Sequence, residues 1–469
     1  LPANWVGYVW QPVTGSTKYN EDILTASVTG PIFTLPYGKV KGAFGVELRN
    51  AKIDDTPAAD SQAGNLYNLS TSAPTRGSDR AHDVFGEIEI PLLKNLPAVQ
   101  ELTMNTSARW ANYASYGSAS TYKAGLLWTP ANWLTLRGTK GTSYRAPALF
   151  EQFLGATSGF VSSQNDPCNN WDAASNAGTV RRTNCQSEGL PAGFTNTQSI
   201  AVISSGGREA GLKAETSVNK TFGVIVQPGL PTGWGDLSLA LDRFDIEVNN
   251  GVSRAGSSQI LSRCYDDPQF RAGGGFCRLI AARNPVSNAL SVNDSYVNLA
   301  TDIVRGYDLT ARYTNDVGLG RLRLNMSVTE YDEQSNKLFA DDPLDNTNGT
   351  IAQPRWSGAL EANYTVKEWT YFYGMEWVGK TSTYDYFGED PATSSYKLNT
   401  PNYFLQSASI TYKDTVGKWS ATLGVRNLAD VKPPVISAQA GYNRVGNAAL
   451  YSGYDYLGRR LYLNVSKTF

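Results

Sequence analysis

Histidine is almost missing from these 469 residues: His82 stands alone. Neither a Ser-His-Asp constellation nor a multi-histidine metal site can be built from one imidazole, so an enzymatic reading has little to work with. His82 itself reads as a solvated or hydrogen-bonded surface residue at the start of a strand. Long apolar runs are missing too. Stretches such as Leu126 to Trp128 and Val224 to Val226 fall far short of the ~20 residues that a membrane-crossing helix needs. Charge of one sign is also lacking: the net charge of -1 has none of the basic footprint of a nucleic-acid binder. Cysteine is scarce, with four residues in two close pairs, Cys168 with Cys185 and Cys264 with Cys277. Each pair sits within a long polar segment, which suggests local loop disulfides made in an oxidising compartment; free thiols or the cross-pairing are the alternatives. No charged-then-apolar leader precedes Leu1, so an export signal is expected to lie outside this sequence.

What the chain does have is aromatic and glycine content. Tyr 26, Trp 11 and Gly 44 accompany only 41% hydrophobic residues, a composition that suits strands and turns better than helices. A lipid environment offers backbone groups no water, so apart from helices only a closed barrel can span it, and a barrel's hydropathy signal is weak. Low hydropathy is therefore compatible with a membrane wall made of strands.

Period-two alternation supports that wall. From Arg321 to Thr329, Leu322, Leu324, Met326 and Val328 share one face, and Arg321, Arg323, Asn325, Ser327 and Thr329 the other. Trp419, Ala421, Leu423 and Val425 oppose Ser420, Thr422, Gly424 and Arg426. Lys41 to Arg49, Leu102 to Trp110 and Tyr122 to Trp128 repeat the pattern. In Asp236 to Val248 the phase slips between Leu241 and Phe244, which reads as a β-bulge. A soluble sandwich also alternates, but connection lengths favour the barrel. Short turns near Pro36–Gly38, Asn95–Pro97, Thr129–Asn132, Asn315–Gly318, Val366–Glu368 and Thr415–Gly417 alternate with long polar stretches. Those stretches lie near Ala51–Arg80, Pro147–Arg208, Gly251–Thr301, Tyr331–Pro354, Thr381–Pro401 and Ala429–Asp455, and loops of such length are uncommon in compact soluble domains. The connections delimit about sixteen antiparallel strands of roughly nine to fifteen residues. The chain ends on Phe469 where a strand ends, with Lys467 able to snorkel from its lipid-side row.

Three stretches resemble the C-terminal barrel portion of TonB-dependent outer-membrane receptors: WTPANWLTLRGTKGTSYRAP from Trp128 to Pro147, GVRNLADVKPP from Gly424 to Pro434, and Tyr454 to the terminal Phe469. The resemblance implies a 22-stranded barrel plugged by an N-terminal domain. It implies that this chain is the C-terminal part of that barrel, with the plug, its TonB box and about six strands outside the sequence. It further implies active import of an organic nutrient (a ferric siderophore, an oligosaccharide or a cobalamin-like ligand) across the outer membrane of a Gram-negative bacterium. The implied partners are outer-membrane lipid, the TonB energy-coupling complex reached through the plug, the barrel-assembly machinery, which would read Phe469, and a small nutrient ligand. Catalysis, a metal, a cofactor and nucleic acid are not expected.

The charged residues on the polar strand faces are expected to line a water-filled lumen: Glu47, Arg49, Glu87, Glu89, Arg109, Arg137, Arg321, Arg323, Glu361, Glu376 and Arg426. Ligand-gripping aromatics are sought in two loops, at Phe160, Trp171, Tyr384, Tyr386, Phe387 and Tyr396, where the competing role is loop packing. Gly273–Gly275 has no following helix pattern and reads as part of a flexible disulfide loop. A passive sixteen-stranded porin is the main rival; closure of a strand near Ala3–Trp10 onto one near Leu461–Phe469 would favour it. A secreted carbohydrate-binding β protein is a further rival.

Overall fold

The computed structural model describes all residues except Leu1, Ala3, Asn4, Val6, Tyr8, Gln11, 67–70, 273–274, 441–443 and Phe469. The expected strand near Ala3–Trp10, the Gly273–Gly275 segment and the assembly signal at Phe469 therefore fall wholly or largely outside the described residues. Fifteen long strands run in chain order as an antiparallel meander: β1 Ser16–Leu35, β2 Gly38–Thr56, β3 Thr75–Leu96, β4 Val99–Tyr113, β5 Gly117–Ala131, β6 Leu134–Arg145, β7 Glu215–Val226 and β8 Asp236–Arg254. They continue as β9 Tyr296–Val317, β10 Gly320–Lys337, β11 Trp356–Val366, β12 Trp369–Val378, β13 Tyr403–Asp414, β14 Trp419–Arg426 and β15 Arg460–Lys467. The two-residue strand Asp345–Asn346, paired to β10, completes a sixteen-stranded sheet. No helix is long and apolar enough to cross a membrane among the described residues.

Strand lengths correct the sequence expectation. β3 and β9 each hold 22 residues, about 75 Å of extended chain, which is far more than a bilayer requires. Their outer halves rise beyond the apolar band and carry the long loops. The short turns gather at the opposite end; at one of them Gly318 takes φ 60° between β9 and β10, a conformation glycine reaches without a Cβ clash.

Register fixes which side chains share a face. Leu322, Leu324, Met326 and Val328 of β10 stand opposite Tyr364, Ala362, Leu360 and Gly358 of β11, and the row continues through Tyr371, Tyr373, Met375 and Trp377 of β12. Leu461, Leu463 and Val465 of β15 join Val425, Leu423 and Ala421 of β14 on this face. It is apolar and uncovered: Leu463 is 70% exposed and Phe44, Val84, Leu126, Phe222 and Ile410 are exposed as well. An apolar surface of this extent is costly in water and is satisfied by hydrocarbon. Aromatic rings bound it at both ends. Trp369 packs on Tyr412 and Tyr412 on Trp419 near the short turns, while Trp356, Trp377 and Phe404 form a stacked row with 6.3 Å between successive centroids near the loops. Trp369 and Trp377 are eight residues apart on β12, about 27 Å along the strand. At a barrel strand's tilt the band is then about 20 Å tall, close to the ~25 Å apolar belt of outer-membrane barrels.

The bulge expected between Leu241 and Phe244 is not there. β8 pairs without interruption from Leu239 to Val248 with β7 and β9, and its register shifts instead between Val248 and Val252. What changes near Leu241 is the surroundings. Beyond Leu241 the outward side chains become charged, Arg243, Asp245 and Glu247, with Arg243 beside Phe222 of β7 on the same face. On the other face Phe244 meets the Tyr331 ring edge-on at 6.0 Å.

Most of the buried apolar core lies in the loops, with the wall adding scattered residues such as Val40, Ile303 and Leu405. The segments 146–214 and 255–295 form one body around Cys168, Cys185, Ile200, Ile260, Leu261, Cys264, Tyr265 and Val292. Disulfides Cys168–Cys185 and Cys264–Cys277 staple it locally, as expected. Arg283 locks it: this buried guanidinium donates two bonds to Asp166 (2.6 and 3.0 Å) and one to Glu188 (2.8 Å). Burial pushes the Tyr265 hydroxyl above its ordinary range; the hydroxyl donates to Glu188 at 2.8 Å and accepts from Arg283 at 3.1 Å. A second loop body, around Ile351, Leu398, Tyr403, Ile436 and Tyr454, covers the last strands.

Candidate functional site

The eleven charged residues chosen from the sequence all fall, by strand register, on the polar face opposite the apolar band. A loop packs across this polar face at the rim. The helix Leu149–Phe153 sets Leu149 and Phe153 against Ala51 and Ile53 of β2, and the Phe153 ring occupies the space where a side chain on Gly77 would stand.

Opposite charges on neighbouring strands neutralise most of the set. Arg49 reaches Glu47 at 3.1 Å and Glu21 at 3.6 Å, and Arg109 reaches Glu47 at 3.3 Å and also the buried Asp83. Glu89 holds Lys41 at 3.1 Å. Arg137 grips Asp242 with two bonds of 2.7 and 2.6 Å, spanning the intervening β7. That bridge passes over Gly223, where a Cβ would lie 1.9 Å from the Asp242 carboxylate, so only glycine leaves room for it. Arg426 and Glu376 stand 3.7 Å apart and, with Glu361, Phe372, Ser407 and Tyr462, line an open recess of about 580 Å³ on this face. Arg321 comes no nearer than 4.0 Å to Asp316, and Arg323 and Glu87 have no ion-pair partner among the described residues. His82 lies on the other face, paired in register with Leu48 and Asn112.

Several residues that hold the site together were not singled out from the sequence. Arg145 sits between Glu151 and Glu215 with four bonds of 2.6 to 3.1 Å. Glu215 also accepts from the Val252 amide at 2.8 Å, so one guanidinium ties β6, β7, β8 and the rim helix. Asn427, fully buried, donates to Val431 O and Asp455 and accepts from the Val431 amide, closing the loop after β14. Both lie inside the stretches that carry the family resemblance, which was the available signal. Asp83 and Asp242 gave none, because their partners are distant in sequence.

The loop aromatics divide. Trp171 is 7% exposed, packed in the disulfide body with its Nε1 donating to Pro191 O at 3.0 Å, so it is a packing residue and leaves the ligand set. Phe160 is 66% exposed on a small strand of the same body. Tyr384, Tyr386, Phe387 and Tyr396 share the loop between β12 and β13. Tyr386 and Phe387 meet edge-to-face at 5.2 Å and both are exposed, as is Tyr396. Tyr384 packs on the second loop body and donates to Tyr396 O at 3.1 Å. No group of three or more His, Cys, Asp or Glu side chains is placed to hold a metal ion among the described residues.

With this geometry in view, comparison with known proteins gives one family match, "TonB dependent receptor-like, beta-barrel", over residues 4–428. Among solved structures the fold is similar to a mutant of the ferric enterobactin receptor PfeA of Pseudomonas aeruginosa, with 19% identity and a TM-score of 0.60, covering 97% of this chain and 54% of that one. It is similar also to the siderophore receptor PirA of Acinetobacter baumannii (14% identity, TM-score 0.57, 96% and 55% covered). A third is a double mutant of the hemophore receptor HasR of Serratia marcescens, solved with its hemophore HasA and heme (14%, 0.54, 97% and 59%). The chain thus spans little more than half the length of these structures. No curated protein matches it.

Proposed function

Since the chain belongs to the TonB-dependent receptor-like β-barrel family, we propose that it forms the C-terminal part of the barrel of an energy-driven importer in a Gram-negative outer membrane. In this reading a plug and the first strands come from sequence outside the chain, and the complete wall has 22 strands. An organic nutrient docks among the outer loops, and energy delivered by the TonB complex through the plug lets it pass inward along the charged face. No covalent reaction is involved. The observation that carries the reading is one sheet with an uncovered apolar band between two aromatic rows on one side and ion-paired polar residues roofed by loops on the other.

Among ligand classes we favour an iron chelate, because structurally similar chains are receptors for ferric enterobactin, other siderophores or a heme carrier. Oligosaccharides come second, supported by the exposed Tyr386, Phe387 and Tyr396 beside amide-rich loop segments. The test is uptake by cells carrying the intact gene, offered radioiron on a panel of siderophores and, separately, labelled oligosaccharides. Accumulation of one ligand that a protonophore abolishes is the expected result. Protonophore-insensitive entry of many small solutes, with steady conductance in planar bilayers, would mark a porin instead.

A further inference from the structure

The loop 338–354, between β10 and β11, is built into both loop bodies at once. Its first residues enter the disulfide-stapled body, where Leu338 packs on the core and Phe339 is buried in it. Two jaws grip the Phe339 ring. The Arg263 guanidinium lies over it with 3.9 Å to the centroid, and Phe276 meets it edge-on at 5.1 Å. Arg263 also bonds Asp341 (3.0 and 3.2 Å) and Asp342, the residue that accepts from the Phe339 amide at 3.1 Å. The Cys264–Cys277 disulfide joins the chain neighbours of the two jaws and so holds the socket together. Further along, the same loop is held in the second body. Ile351 is fully buried there, the Gly349 carbonyl accepts from the Ser382 amide at 2.9 Å, and Asp345 accepts from the Tyr386 hydroxyl at 2.9 Å. Between these anchors Asp345 and Asn346 pair with Asn336 and Ser335 near the end of β10, which leaves the loop little slack.

We infer that this loop is a tie that makes the two loop bodies one cooperative unit. A displacement at Tyr386 passes through Asp345 to Phe339 and its socket, because a strap packed at both ends cannot absorb it, and the coupling runs equally in the other direction. Beyond the socket the first body carries the displacement to the lumen wall. There the helix Leu149–Phe153 is stitched to that body: the amides of Gly206, Gly207 and Arg208 donate to the carbonyls of Leu154, Glu151 and Gln152 at 2.8 to 3.2 Å, and Arg208 lies over the Phe153 ring. The exposed aromatics of the second body and the helix seated on β2 are therefore two ends of one linked structure. The consequence for transport rests on the importer reading above: a nutrient that engages Tyr386 and Phe387 also shifts the helix at the mouth of the lumen.

The experiment is hydrogen exchange on the intact receptor in detergent micelles, which needs no ligand. Phe339→Ala empties the socket in the first body, and the effect is read in the second. Protection over 381–401 is expected to fall about threefold to thirtyfold. Tyr386→Phe acts from the other end, removing the bond to Asp345 while leaving both cores filled. Protection over 257–265 is then expected to fall about twofold to tenfold. This second variant decides the matter even if Phe339→Ala melts the first body. In the double variant the losses should combine to less than their product, since each cuts the same tie. Wild-type protection at 257–265 in Tyr386→Phe overturns the proposal, and so do wild-type protection at 381–401 in Phe339→Ala and losses that multiply in the double variant. Failure of the importer reading is separable, because exchange in the purified receptor reports the tie whether or not cells carrying the gene take up any nutrient.

Discussion

Arg283→Met is expected to open the disulfide-stapled loop body by about 3–5 kcal/mol while the strands below remain intact. The residue is buried between two acids, Asp166 and Glu188, whose carboxylates have almost no access to water. Methionine fills much of the same volume but supplies no donor, so both carboxylates would remain desolvated with fewer partners. Asp166 would keep the Cys168 amide and Asn196, and Glu188 would keep Arg271 and Tyr265. Local hydrogen exchange on the intact receptor reads the effect. Protection across 146–214 and 255–295 should fall by about two to four powers of ten, and that of β10 to β14 should not change. Arg283→Lys, which keeps the charge but not the two-pronged geometry, should fall between. Removing the acids as well, with Asp166→Asn and Glu188→Gln, should recover part of the loss. Unchanged protection in Arg283→Met would mean that the disulfides alone hold the body together.

The second large effect concerns the wall. Met326 lies on the apolar face midway between the aromatic rows, opposite Ala311 and Leu360. Met326→Arg is expected to destabilise the receptor in bilayers by about 2–4 kcal/mol, the cost of a guanidinium at the lipid midplane of a barrel. The neighbouring Asn325→Arg changes the polar face and is expected to cost close to nothing. Denaturant unfolding from lipid vesicles measures both. Equal costs at the two positions would remove the distinction between the faces.

Much of this is legible in the sequence, and the reason is physical. A strand's side chains alternate strictly, so wherever lipid and water lie on opposite faces the residues must alternate too. By register Leu322, Leu324, Met326 and Val328 share the apolar face and the eleven charged residues the polar one. The rule failed where its premise failed. Beyond Leu241 the outward positions turn charged while on the other face Phe244 packs on Tyr331 of β10, so Arg243 and Phe244 exchange character without any change of register. Cysteine spacing gave the correct disulfides because each pair is local. Pairings such as Arg137 with Asp242 or Arg283 with Asp166 join residues more than a hundred positions apart, and composition carries no information about them. Nor does it separate a ring that packs loops, as Trp171 does, from one that faces solvent, as Phe160 does.

The central claim is that one face of this sheet meets hydrocarbon and the other meets water. It is tested most directly by nitroxide labels placed singly at positions 322 to 329 of β10 in the membrane-embedded receptor, with relaxation by dissolved oxygen compared with that by a water-soluble nickel chelate. The account predicts opposite two-residue oscillations, with oxygen strongest at Leu322, Leu324, Met326 and Val328 and nickel strongest at Arg323, Asn325, Ser327 and Thr329. Oscillations in phase, or nickel access equal on both faces, would contradict it.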